Sequence, residues 1–429
     1  MDERKDTTTL RANRWSGFAR ALGPGIMYAG AAIGVSHLVQ ATKAGAGYGF
    51  ALVWVVVIVH LLKYPFFEYA YRYAAATGDS LLVGYNRIGR WALITFLVVA
   101  FCLSIPTTAV LTIVTAGMAS QLFSANLSAL VWATILLSAC TVLLASGGYP
   151  LLDKVMKALM VFLAFCTLGA LLAAAGHGPA EVTPGFVIPE IWNVAGIGFL
   201  VALMGWMPTP VDASVWPSLW MQARARQTGH RPRLHEALVD FNLGYLGTLI
   251  MALMFLSLGA LIMFGTGEQS APKAGDFAAQ FVRMYTGALG SWSRVVIVAA
   301  AFATMFSTLL TVLDGYPRVL AAGIRLLKPG TERFGSFPYW VSMASMMAGA
   351  MLVFVYVTSV MGTLVRFTMT VAFLSAPLFA YLNCRALKSP GFPQEASPPR
   401  WIRILSWLGL AFLICFSILF LIVHFGNGS

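Results

Sequence analysis

Two short stretches of this 429-residue sequence gather residue types able to hold a solute inside apolar surroundings. In the first, Gly30, Gly34 and Ser36 crowd together and His37 follows. In the second, Trp206-Met207-Pro208-Thr209-Pro210 sets two prolines two residues apart, with Gly205 just before them. Each proline removes a backbone donor and clashes with the preceding turn, so the second stretch cannot continue as a helix. Broken helix offers free carbonyls and, at half-helix amino termini, unpaired N–H groups at a positive dipole end. Ser36 and Thr209 add hydroxyls, His37 a ring that titrates near neutral pH, Met207 a thioether and Trp206 a flat wall. This chemistry binds and does not make bonds. The sequence has no His-Glu-x-x-His, no nucleophile elbow, no clustered His/Cys/Asp set and no ATP-binding loop. Neither an enzyme nor a cofactor is expected. The five cysteines (Cys102, Cys140, Cys166, Cys384, Cys415) lack metal or redox spacing and read as small core residues.

The elements that must carry these stretches are membrane helices. Hydrophobic residues make up 59% of the chain and charged ones only 10%, against about 25% charged in soluble domains. Residues 91–152, 241–267, 334–365 and 404–423 contain no Asp, Glu, Lys, Arg or His. About 20 such residues span the hydrocarbon core as helix. A large soluble protein would instead show charged faces with helical period, and these are missing. Splitting at polar and Pro/Gly-rich breaks predicts eleven spans, near 21–42, 48–72, 91–122, 127–147, 152–175, 191–220, 238–264, 284–318, 337–357, 359–382 and 402–424. Residues 1–20 are polar and Arg-rich without a cleavable apolar core, and read as a cytoplasmic tail.

Placing the amino terminus inside puts 22 of the 28 Lys and Arg residues in cytoplasmic segments. The positive-inside rule therefore predicts a cytoplasmic amino terminus and an extracytoplasmic carboxyl terminus in a cell membrane. The net charge of +12 faces anionic lipid and implies no nucleic acid.

The two breaks fall in the first and sixth spans, 173 residues apart from Gly34 to Met207. Broken backbone at membrane depth survives only where it is buried in protein or lines a cavity. Five spans precede the sixth, as an inverted repeat of five plus five would require, with the solute at the repeat interface. The repeats would be 21–175 and 191–382, with 402–424 an added helix. Ionisable residues within spans are costly and become functional candidates. They are Lys63 and Glu68 in the second span, Asp314 and Arg318 late in the eighth, and Arg366 in the tenth. Lys63 has the reach to snorkel along its span. Asp212, five residues past Met207, is placed toward the inner vestibule. Glu68, Asp212, Asp314 and Arg318 are the candidates for gating or coupling.

Gly23-Pro24-Gly25, eight residues, a four-residue break, six residues and then Ala44-Gly45-Ala46-Gly47-Tyr48-Gly49-Phe50 with Trp54 resemble the first span of NRAMP divalent-metal transporters. Thr77-Gly78-Asp79-Ser80-Leu81 resembles that family's second-span exit, and Met207-Pro208 its sixth-span Met-Pro-His. The resemblance implies an all-α integral membrane protein of LeuT-type fold. It also implies a metal site, which these residues do not supply. The family's Asp-Pro-Gly-Asn falls on Gly34-Val35-Ser36-His37, and its Met-Pro-His on Met207-Pro208-Thr209. The third span carries none of the acidic residues the family uses for proton movement.

Hard divalent cations need anionic oxygen ligands, and only Met207 and His37 remain for a softer ion. The expectation is a secondary transporter moving a small anion or a neutral or zwitterionic solute by alternating access, for example bicarbonate, a small carboxylate or an amino acid. Its contacts would be Gly34, Ser36, His37, Trp206, Met207 and Thr209, with His37 as a helix-packing residue the competing reading. The alternatives are a divalent metal transporter (Mn, Fe or Mg) with a rebuilt site, and a channel-like or sensory membrane protein. Partners would be the solute and the bilayer; a monomer is compatible with the sequence.

Overall fold

A computed structural model describes residues 21–125, 127–267, 274–357 and 361–426. The tail expected over residues 1–20 lies outside them. Among the described residues every regular element is helical, the form that satisfies all backbone groups within one segment when lipid offers no partner. Among the described residues nine helices are long and apolar enough to cross a membrane. Two features raise the crossings to eleven. The 49-residue helix Ala129–His177 is two spans, because Gly148 takes φ 51 and ψ −149 inside it and Pro150 follows. Only glycine reaches that backbone region without strain. Span 1 is divided into Pro24–Ala32, a π-helical Ser36–Ala41 and Thr42–Tyr48, each too short to qualify alone.

The remaining spans follow the apolar runs. Span 2 is Val53–Thr77 and span 3 Arg90–Phe123, with an unforeseen short helix, Leu81–Ile88, between them. Span 6 comprises Val194–Trp206 (6a), a 3-10 turn at Val211–Val215 and Trp216–Thr228 (6b). Span 7 is Leu234–Ile262. Span 8 begins later than the expected 284: Ala274–Leu289 is a separate helix, Gly290 turns the chain at φ 89, and the span is Ser293–Leu327. Spans 9, 10 and 11 are Phe337–Val357, Met361–Ala386 and Arg400–Gly426.

Membrane helices pack through small residues that let backbones approach, since lipid is as apolar as leucine. Span 1b, residues 36–48, meets span 7 this way: a Cβ on Gly45 would sit 2.0 Å from the Leu256 carbonyl, and one on Gly259 2.1 Å from that of Thr42. Span 1a, Pro24–Ala32, docks on spans 2 and 7 through Tyr28, Phe67, Tyr71, Phe241 and Tyr245, which form one buried aromatic cluster. Val142, Phe165, Leu172, Val295 and Ile422 are among the large apolar side chains left exposed at the perimeter, where hydrocarbon would cover them. Both broken spans are thereby held inside the bundle.

Candidate functional site

The span 1 break starts from a glycine that cannot carry a side chain. A Cβ on Gly34 would lie 2.7 Å from Thr308 Oγ1 on span 8. Thr308 occupies that space for a reason. Its hydroxyl lies 2.9 Å from the Gly30 carbonyl and 2.8 Å from that of Ile33, both at the helix end. It has one proton and can donate to one of them at a time. Any side chain at this place would thus collide with the group that caps the break.

Span 6 breaks for the reason its prolines predict. In an unbroken helix the Met204 carbonyl would accept from residue 208, and Pro208 has no N–H to give. Lys63 supplies the missing donor. Its Nζ lies 2.5 Å from the Met204 carbonyl and 3.1 Å from that of Gly205, and the residue is 0% exposed. The expected snorkelling does not occur, because span 6a ends beside Lys63 with carbonyls in need of a donor. An ammonium at a helix carboxyl end also opposes the negative dipole end. At the other side of the break, Asp212 opens the 3-10 turn leading into 6b. Its Oδ2 accepts from Tyr316 at 2.9 Å, and its Oδ1 has no partner among the described residues. Asp212 therefore faces span 8 inside the bundle and not an open vestibule. Lys63 and Asp212 thus stand on opposite sides of the span 6 break. Each complements the half-helix end it adjoins.

Ser36 and His37 form a second tied unit. His37 is 0% exposed. Its Nε2 lies 3.1 Å from the Thr248 carbonyl, which can only accept, so Nε2 carries a proton. Its Nδ1 lies 2.8 Å from Ser36 Oγ, which is also 3.1 Å from the Ala32 carbonyl. Both ring nitrogens are therefore engaged by protein. Met207 and Thr209 are buried in the break between 6a and 6b. Trp206 is buried as well, and its indole Nε1 has no hydrogen-bond partner among the described residues.

Apart from Asp212, the gating candidates do not converge on the breaks. Glu68 pairs with Arg72 one turn along span 2, and Arg72 also donates to the Ala396 carbonyl at 2.9 Å. Asp314 accepts from Arg318 at 2.5 and 3.0 Å, from Trp220 Nε1 at 2.8 Å and from the Tyr339 hydroxyl at 3.1 Å. That hub ties 6b to spans 8 and 9. It borders a cavity of about 520 Å³ on the side of the basic loops, shared with Arg226 and Arg325. A second cavity, about 710 Å³, lies between spans 1b, 6a, 10 and 11. Neither lining contains Gly34, His37, Met207 or Thr209. The breaks lie apart from both.

Several participants escaped sequence reasoning. Asp240 on span 7 accepts from the backbone N–H groups of Gly23 at 3.1 Å and Gly25 at 2.7 Å, capping span 1a from outside. Asn383 on span 10 donates to the Phe66 carbonyl and to Ser214 Oγ, both at 2.8 Å, and accepts from Tyr85. His60 donates from Nδ1 to the Val56 carbonyl at 2.8 Å, leaving Nε2 without a partner among the described residues. The only advance signal was polarity inside an apolar run. Among the described residues no three His, Cys, Asp or Glu side chains come together as a metal site would need.

The chain matches the model of the natural resistance-associated macrophage protein-like family over residues 25–423. An uncharacterised protein of Pasteurella multocida (strain Pm70) is 34% identical over 417 residues, covering 97% of this chain and 95% of that one. Among solved structures, a mutant of the Eremococcus coleocola manganese transporter superposes with a TM-score of 0.74 at 15% identity, covering 97% of this chain and 89% of that one. MhsT in complex with L-phenylalanine superposes with a TM-score of 0.65 at 13% identity, covering 93% of this chain and 97% of that one. These likenesses identify the fold as LeuT-type.

Proposed function

Because this chain belongs to the natural resistance-associated macrophage protein-like family, whose members are membrane transporters, we propose that it moves a small anion or zwitterion by alternating access. The observation that carries the reading is Lys63. A fully buried ammonium is hydrogen-bonded to the carbonyls of the span 6 break. In its protonated form this amine repels a second cation and attracts a carboxylate or bicarbonate, more strongly than in water because little solvent screens it. Asp212 across the break lets a zwitterion align with both charges.

In this reading Ser36, Thr209, Trp206 Nε1 and the backbone at Gly34 contact the solute, beside Met207, and His37 holds Ser36 in place. The Asp314–Arg318 hub acts as the inner gate. The two repeats run over 21–175 and 191–382 with span 11 outside them, the amino terminus is cytoplasmic and the carboxyl terminus extracytoplasmic.

The structural neighbour named as a manganese transporter makes a divalent cation the competing substrate. Met207 is the one ligand type retained for it, and a lone thioether suits soft ions better than Mn²⁺. Uptake by the reconstituted protein in proteoliposomes decides between them. The expected result is no saturable Mn²⁺ uptake at micromolar concentration, with uptake of at least one of bicarbonate, small carboxylates or amino acids. Robust Mn²⁺ uptake that Met207→Ala abolishes would sink the anion reading.

A further inference from the structure

Spans 6b and 8 are tied where Trp220 Nε1 donates to Asp314 at 2.8 Å, and beyond the tie both line the 520 Å³ cavity. On 6b, Leu219, Gln222, Ala223 and Arg226 recur at the spacing of one helix face, and on span 8 Asp314, Arg318 and Arg325 do the same. Asp314 is already engaged by Arg318, Trp220 and Tyr339, so that pair brings no net charge to the cavity. Arg226 and Arg325 differ: neither forms an ion pair among the described residues. Arg325 Nη2 donates to the Gly335 carbonyl at 2.6 Å, a neutral acceptor that leaves the charge in place. Its Nε is buried with no hydrogen-bond partner among the described residues. Glu332, the one acid of the lining outside the hub, is exposed and pairs with neither arginine. A guanidinium fork matches a carboxylate, and two forks on different helices match two carboxylates on one body. Leu144 and Trp340 in the same lining offer apolar surface to the carbon chain between them.

We propose that this cavity binds a small dicarboxylate, held between Arg226 of span 6b and Arg325 of span 8. The inference rests on the transporter reading, in which the cavity is the solute's station on the side of the basic loops. An anionic lipid headgroup presents the same arginines with a phosphate, so the test separates the two sources.

The probe is radiolabelled succinate, measured by equilibrium binding to the full chain in nanodiscs of neutral phosphatidylcholine. Saturable binding near one per protein is expected. Arg325→Gln should weaken it about tenfold, the loss of a charged hydrogen bond. Arg226→Gln, at an exposed side chain, should weaken it about threefold and guards against misfolding of the first variant. Glu332→Gln should tighten binding about twofold, a gain that a damaged fold would not give. Lys328→Gln removes a neighbouring exposed charge outside the lining and should leave binding unchanged. Absence of saturable binding, equal binding by the parent and both arginine variants, or an equal loss in Lys328→Gln and Arg226→Gln overturns the proposal. Native mass spectrometry supplies the lipid arm. Phosphatidylglycerol retained by the parent and lost by the double arginine variant, with no succinate binding, assigns the cavity to lipid and also overturns it. No gradient is imposed, so failure to transport any solute leaves a positive binding result standing.

Discussion

Lys63 Nζ donates across 2.5 Å to the carbonyl of Met204, joining the middle of span 2 to the last turn of 6a. The bond answers a vacancy that Pro208 creates four residues later. It also sets the Lys63 side chain and its charge against the span 6 break.

Replacing that charge separates its two duties. In Lys63→Met the carbonyls of Met204 and Gly205 lose their donor, at about 1–3 kcal/mol for a buried unsatisfied group. Relief of the buried ammonium's own desolvation offsets this. The thermal midpoint should therefore move little, while anion uptake in proteoliposomes falls at least about tenfold. Undiminished uptake would show that Lys63 only caps the helix.

Gly34 and Thr308 should behave as a coupled pair. Gly34→Ala forces a Cβ to within 2.7 Å of Thr308 Oγ1, and overpacking of this kind costs about 1–3 kcal/mol. Adding Thr308→Ala should recover part of that loss, although the carbonyls of Gly30 and Ile33 then lose their donor. Thermal unfolding of the two single variants and the double gives the coupling directly. Strict additivity would refute the packing account.

For His37, the bonds to Ser36 and the Thr248 carbonyl predict a positioning role. His37→Asn should lower stability by about 1–3 kcal/mol, the cost of a disrupted buried network. The pH profile of uptake between about pH 5.5 and 7.5, the range of an unperturbed histidine, should keep its shape. A profile that flattens in the variant would instead make His37 a titrating partner of transport.

Asp240 offers a test of how span 1a is held. Asp240→Ala leaves the N–H groups of Gly23 and Gly25 without their acceptor, a capping loss of about 0.5–2 kcal/mol. Amide exchange across residues 23–32 should then quicken, by up to about 30-fold at the upper figure. Exchange unchanged in that segment, or quickened equally everywhere, would mean that the aromatic cluster alone docks the half-helix.

Much of the fold was legible because a bilayer leaves few choices. Apolar runs set the spans, and the expected gap between residues 147 and 152 is where Gly148 and Pro150 divide spans 4 and 5. The start of span 8 was misjudged because residues 284–289 are themselves helical, and only the turn at Gly290 divides them from Ser293–Leu327. The site was legible in part. Pro208 and Pro210 announced a break, yet nothing in the sequence said which distant donor would repair it.

The sequence by itself determined where helices must stop and which side-chain chemistry stands at the two breaks. Those are local properties of residue type, backbone donors and side-chain chemistry. Only the tertiary structure decided that Lys63 caps span 6a instead of reaching along its own span, that Thr308 fills the space beside Gly34, and that Asp240 holds span 1a. A buried polar group takes the partner that packing brings within about 3 Å, and these pairs join residues 141, 274 and 215 positions apart. Sequence spacing records the need for a partner; the packing of the spans chooses it.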